Sequence, residues 1–169
     1  IFMEAYYNMG IAYKQKYDIS NMIKSLRKAI DFGDPEDVQV KQARDLIDSM
    51  EKLIRKNDKI DLDTYIRSQD VFDRANDLME KGEWKKAIEG FKRSIQLNNT
   101  HVQPYGNLGI CYAKIGKKEE AIAAFNKALE IDPSYELAIV NKQMTEQLDD
   151  NKRLEADLKI TKYYQEYRT

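Results

Sequence analysis

The chain has 169 residues, about one domain's worth of protein and long enough to bury a core without disulfide or metal staples. Its 28 Lys plus Arg against 29 Asp plus Glu leave a formal net charge of -1, which excludes a broad electrostatic nucleic-acid binder. One cysteine and one histidine exclude an intrachain disulfide and a multi-cysteine zinc site, and leave almost nothing for a His-based triad, so no enzyme, metal or cofactor is expected.

Three prolines and seven glycines are too few for many short strands and tight turns, so the composition leans helical. Apolar runs are short, as in Leu137 to Val140, far below the length that spans a bilayer. The start Ile1-Phe2-Met3-Glu4 has no basic segment followed by an apolar one, and the expectation is a cytoplasmic, soluble chain. A start at Ile rather than Met suggests a fragment or a processed product.

Taken in order, residues 3–36 carry Tyr6, Met9-Gly10, Tyr13, Met22, Leu26 and Ala29, closing at Pro35. Asp34-Pro35-Glu36-Asp37 then reads as a helix start, with Asp34 as N-cap and Pro in the first turn. Val40, Ala43, Ile47, Met50 and Ile54 share one face of the helix that follows, which should run over about 36–56. The polar Lys56-Asn57-Asp58-Lys59 ends it before Asp61 or Asp63 caps another.

Residues 68–101 carry Val71, Arg74-Ala75, Leu78, Gly82, Ala87 and Phe91, and residues 102–135 carry Tyr105, Leu108-Gly109, Tyr112, Gly116, Ala121, Phe125, Ala128 and Pro133. Between these two segments Gly82 to Phe91 aligns with Gly116 to Phe125 at an offset of 34 residues. The first segment fits the same spacing with Tyr17 in place of the glycine and its proline one residue late, and Arg74 stands at an apolar slot of the second. Tyr135 to Gln147 is a mixed, more polar helix, and Asn151 to Thr169 could form a last one, because Ala156, Ile160 and Tyr163 echo the Ala-x3-Phe spacing.

The spacings aromatic-x2-Leu-Gly-x2-Tyr, Ala-x3-Phe and a closing Pro resemble those of the tetratricopeptide repeat family. The resemblance implies an all-α, right-handed superhelical array of antiparallel helix pairs, with three recognisable repeats plus linking and capping helices. The expected division is 1–60 (repeat 3–36 and the linking helix), 61–150 (repeats 68–101 and 102–135 and a capping helix) and 151–169 as tail. Gly10, Ala75 and Gly109 on the first helices should admit the second helices closely at Met22, Ala87 and Ala121.

In such arrays the opposite side of each first helix lines a concave groove, which makes these candidates to hold a partner's peptide or helix: Phe72, Asn76, Met79, Asn107, Ile110, Lys114, Val140, Asn141 and Met144. Asn76 and Asn107 match the two asparagines with which some family members hold the C-terminal carboxylate of chaperones. The basic residues of that pattern are missing, since Phe72, Leu137 and Asn141 replace them, so no carboxylate preference is expected. The function implied is non-catalytic protein binding, with no nucleic acid and no membrane as partner. Its alternatives are a regulatory fragment of a larger protein, or self-assembly through exposed faces or the aromatic tail Tyr163-Tyr164-Gln165-Glu166-Tyr167. Cys111 reads as a buried small residue rather than a nucleophile, and His101 as a solvent-exposed turn histidine.

Overall fold

A computed structural model describes residues 2–149. Among them the chain is all-α, a helical repeat protein of eight helices: α1 (Phe2–Gln15), α2 (Ile19–Phe32), α3 (Val38–Asn57), α4 (Leu62–Glu80), α5 (Trp84–Leu97), α6 (Val102–Lys114), α7 (Lys118–Ile131) and α8 (Glu136–Glu146). The last helix expected over 151–169 lies outside the described residues. Contacts divide the described chain into two units, 2–66 and 67–149, the boundary falling within α4.

In the first unit α1 pairs with α2, and α3 packs on both. Asp18 caps α2, its carboxylate accepting from the Asn21 backbone N–H at 3.0 Å. At α3 the structure corrects the expected cap. Asp37, not Asp34, accepts from the N–H groups of Gln39 and Val40, while Asp34 accepts from the Glu36 N–H at 2.8 Å and so closes a turn before the helix. The stripe read from the sequence is the buried face of α3: Val40, Ala43 and Ile54 are fully buried, and Ile47 and Met50 pack on a core of Ile19, Met22, Ile23, Leu26, Tyr65 and Ile66.

In the second unit α5, α7 and α8 all pack on α6. Its core joins Phe72, Met79, Ile88, Phe91, Ile110 and Phe125 with the alanines at 75, 87, 121, 128 and 138. Arg74, at its apolar slot, escapes burial by swinging out to solvent, where its Nε donates to the Asp70 carbonyl at 3.0 Å.

The small residues admit close approach. A Cβ on Gly10 would stand 2.7 Å from the Leu26 side chain and 3.4 Å from the Met22 carbonyl, as expected for that pair; one on Gly109 would stand 2.5 Å from the Phe125 ring, and Ala75 faces Gly90. Leu26 and Phe125 reach back to the glycines because side chains in a helix lean toward its N-terminus and cover the turn before their own Cα.

Three inter-helix turns share one geometry. The N–H groups of Asp18, Glu83 and Lys117 bond to the carbonyls of Tyr13, Leu78 and Tyr112, and those of Tyr17, Gly82 and Gly116 bond to Lys14, Met79 and Ala113. This is the paired Schellman pattern, whose first residue past the helix takes a left-handed backbone. Gly82 (φ 73°) and Gly116 (φ 80°) do so freely, whereas Tyr17 does so at φ 58° with a side chain attached.

A left-handed L-residue costs about 1–2 kcal/mol, more than the about 0.4–1 kcal/mol of unfolded-state entropy a glycine adds. Tyr17→Gly is therefore expected to raise stability by about 0.5–1 kcal/mol, and Gly116→Ala to lower it by a similar amount. Urea denaturation of both variants checks this, and a destabilised Tyr17→Gly would refute it.

Candidate peptide-binding face

With about 100° between successive residues, Gln69, Phe72 and Asn76 lie round the α4 surface from Ala75, and Gln103, Asn107 and Ile110 lie similarly round α6 from Gly109. These are the first-helix positions the sequence assigns to a groove. They are withdrawn from solvent: Phe72, Met79, Ile110 and Asn107 are at most 2% exposed, and Gln69, Asn76, Gln103 and Asn141 at most 6%. The candidate positions on α4 and α6 are thus largely buried in the structure. Part of the reason is local, since the Phe72 ring packs at 5.7 Å on that of Phe91.

The two asparagines come together. Asn107 donates from Nδ2 to Asn76 Oδ1 at 2.8 Å, a buried bond between α4 and α6. A second buried bond, from Ser94 Oγ to the Ser68 carbonyl at 3.0 Å, ties α5 to the middle of α4. Four amide atoms on α4, α6 and α8 are buried and have no hydrogen-bond partner: Gln69 Oε1, Asn76 Nδ2, Gln103 Oε1 and Asn141 Nδ2. Each such atom costs about 1–3 kcal/mol relative to a satisfied one.

The remaining candidates disperse. Met144 is half-buried and Val140 is 45% exposed. Lys114 points elsewhere, its Nζ lying 5.9 Å from the Trp84 ring, beside a cavity of about 620 Å³ that Gly82, Lys86 and Lys117 also line. Gln69 and Gln103, whose carbonyls are without a partner, stand at equivalent positions of the two repeats, 34 residues apart.

Neither of the chain's rarer reactive residues joins the face as a reagent. Burial pushes the Cys111 thiol from an ordinary 9.0 up to about 12, which keeps it a neutral packing group. His101 is fully buried rather than exposed, because it stands at the N-cap of α6 where the chain turns into the core. Among the described residues no group of three or more His, Cys, Asp or Glu is placed to hold a metal ion, and no helix is long and apolar enough to cross a membrane.

Comparison with known families gives two matches, both described as tetratricopeptide repeat, over residues 4–32 and 102–135. These two segments are tetratricopeptide repeats. Relatives include Hsp70-Hsp90 organizing protein 3 of Arabidopsis thaliana, 26% identical over 52% of this chain and 17% of that protein. The peroxisomal targeting signal receptor of Yarrowia lipolytica is 30% identical over 46% of this chain and 13% of its own length. The heat shock protein sti1 homolog of Schizosaccharomyces pombe is 24% identical over 79% and 22%. The chain thus spans less than a quarter of each of these relatives.

Two predictions follow from this geometry. Asn107→Ala leaves Asn76 with neither amide atom bonded and is expected to cost about 1–3 kcal/mol, whereas Asn76→Ala/Asn107→Ala removes both partners and should cost clearly less than the sum of the single changes. Additive losses in urea denaturation would refute the coupling. For Cys111, the unfolded thiol ionises above an ordinary pKa while the buried one holds its proton, so the stability tied to its burial is whole below pH 9 and lost as pH rises from 9.0 toward about 12. Thermal midpoints of the native chain should therefore fall more steeply than those of Cys111→Ala across that range, and parallel curves would contradict it.

Proposed function

We propose that this chain is a non-catalytic binding module whose first helices α4, α6 and α8 hold a peptide or helix of a partner protein. The observation that carries the reading is the mixed chemistry of their shared face: apolar Phe72, Met79 and Ile110 beside two amide carbonyls and two amide N–H donors without partners. A polypeptide segment supplies both apolar side chains and backbone groups of each kind. The family supports the reading, since relatives are named as an organizing protein for two chaperones and as a receptor for a targeting signal. The right-handed curvature implied by the family would turn this face inward.

A carboxylate terminus is not the proposed ligand. The positions that would carry its basic partners hold Phe72, Leu137 and Asn141, and a buried anion without a cation beside it is costly.

The alternative, assembly of copies of the chain, draws on a different surface. In the first unit Phe2 (71% exposed) and Phe32 (60%) flank Tyr6, whose ring stacks on that of Phe32 at 5.6 Å, and Lys28 lies 5.1 Å over Tyr6. Exposed aromatic surface of this kind favours contact with another chain.

Affinity capture with the native chain and with Asn76→Ala/Asn107→Ala, read by quantitative mass spectrometry, separates the two. The binding reading expects proteins retained by the native chain to fall at least about tenfold on the double variant, the effect of about 1.4 kcal/mol, while its helical circular dichroism is unchanged. Equal retention, together with a light-scattering mass that rises with concentration and falls on Phe32→Ser, would replace it with the assembly reading.

A further inference from the structure

A second site lies away from the amide face, where the turn between α4 and α5 stands beside the turn between α6 and α7. Gly82 and Gly116 mark these turns at the 34-residue offset of the repeat. Residues of both turns line the cavity of about 620 Å³ beside Lys114, a size within the range of ligand sites.

The lining is unbalanced in charge. Lys85 and Lys86 come from the start of α5, Lys114 from the end of α6 and Lys117 from the turn after it, against a single carboxylate, Glu83. The chain as a whole carries 28 basic and 29 acidic residues, so this excess is local to the cavity. Where its charges are matched, they are matched weakly. Lys86 bonds to Glu83, and Lys117 Nζ to Glu120 at 2.9 Å. Both are i,i+3 pairs of exposed side chains, which contribute little and exchange readily for a better acceptor. The one acid on the wall feels the excess: the Glu83 carboxyl is held below its ordinary 4.5, chiefly by its hydrogen bond to Lys86, with Lys81 adding to it.

We propose that this cavity binds an acidic segment of a partner polypeptide, its carboxylates taken by Lys85, Lys86, Lys114 and Lys117 over the Trp84 ring. The proposal stands whether or not the amide face binds a peptide. Charge complementarity selects an anion, and the kind of cation selects its class. Lysine ammoniums are separate point charges on flexible stems and lack the planar fork with which arginine grips a phosphate. Here they come from two neighbouring elements, at a helix spacing of about 8–10 Å. An extended segment presents a side chain on the same side about every 6.6 Å, so several carboxylates along one chain fit such a spread better than one compact anion does. Two of the cations are also steadied by rings, Lys114 Nζ lying 5.9 Å from Trp84 and Lys117 Nζ 5.9 Å from Tyr112.

Trp84 is the chain's only tryptophan, so its emission reports on this cavity directly. The test is titration of the full chain with synthetic hexaglutamate, read by Trp84 emission and, as a second readout, by calorimetry. Binding should saturate. Lys85→Gln/Lys117→Gln, both exposed positions, should weaken it by about fivefold with helical circular dichroism unchanged. Raising the ionic strength from about 0.01 M to about 0.1 M shortens the screening length from about 30 Å to about 10 Å, and should weaken native binding and narrow the difference between the two chains.

Absence of binding by both readouts, equal affinity for the native and glutamine-substituted chains, or equal binding of hexaglutamine would overturn the proposal. Inorganic phosphate that displaces hexaglutamate at matched concentrations of anionic groups would replace the acidic segment with a free anion. Hexaglutamate binding lost on Asn76→Ala/Asn107→Ala and kept on Lys85→Gln/Lys117→Gln would also overturn it, by moving the anion to the amide face.

Discussion

Where Gly109 meets the Phe125 ring, a methyl group would stand 2.5 Å from a ring carbon, and where Gly10 meets Leu26 it would stand 2.7 Å from the side chain. These separations belong to helices packed at the lower end of ordinary spacing. Much of the rest depends on that approach. It lets Phe125 and Leu26 fill the gap inside each pair, sets the length of the two-residue turns at 16–17, 81–82 and 115–116, and so demands their left-handed residue. Close pairing on one side of a first helix also leaves its other side unable to reach the second helix. Whatever lies on that side must find its partners elsewhere.

The asparagine pair shows how such a side is built. Asn76 and Asn107 satisfy each other across α4 and α6 through one bond, fixing the relation of neighbouring first helices by a directional contact where apolar packing alone would tolerate slip. The same bond uses only part of their capacity. Asn76 retains an unbonded Nδ2, and the carbonyls of Gln69 and Gln103 are unmet as well. Under the binding reading, these atoms hold a penalty that a matched segment would remove.

Much of this was legible in the sequence because it is written at short range. The 34-residue recurrence fixed the helix pairs, Gly82 and Gly116 marked their turns, and the stripe from Val40 to Ile54 marked the buried side of α3. Tyr17 stands in a glycine's place in the repeat spacing, and the structure gives it the glycine's backbone. What could not be read depends on pairs of distant residues. Asn76 and Asn107 are 31 positions apart, and nothing in local spacing says whether two amides meet each other or a ligand. Phe72, Met79 and Ile110 give the same periodicity whether their side of the helix is open or covered. His101 departs from its expected exposure for a related reason: a turn residue is exposed only if the turn is, and this one leads directly into a helix that is buried on most of its residues.

The unsatisfied amides also bear on which segments such a face would accept. Four buried amide atoms without a partner concede about 1–3 kcal/mol each, and a segment whose backbone reaches even one or two of them regains that amount. Under the binding reading, that difference is what would separate unmatched peptides, which recover nothing, from a segment that satisfies two or more of Gln69, Asn76, Gln103 and Asn141.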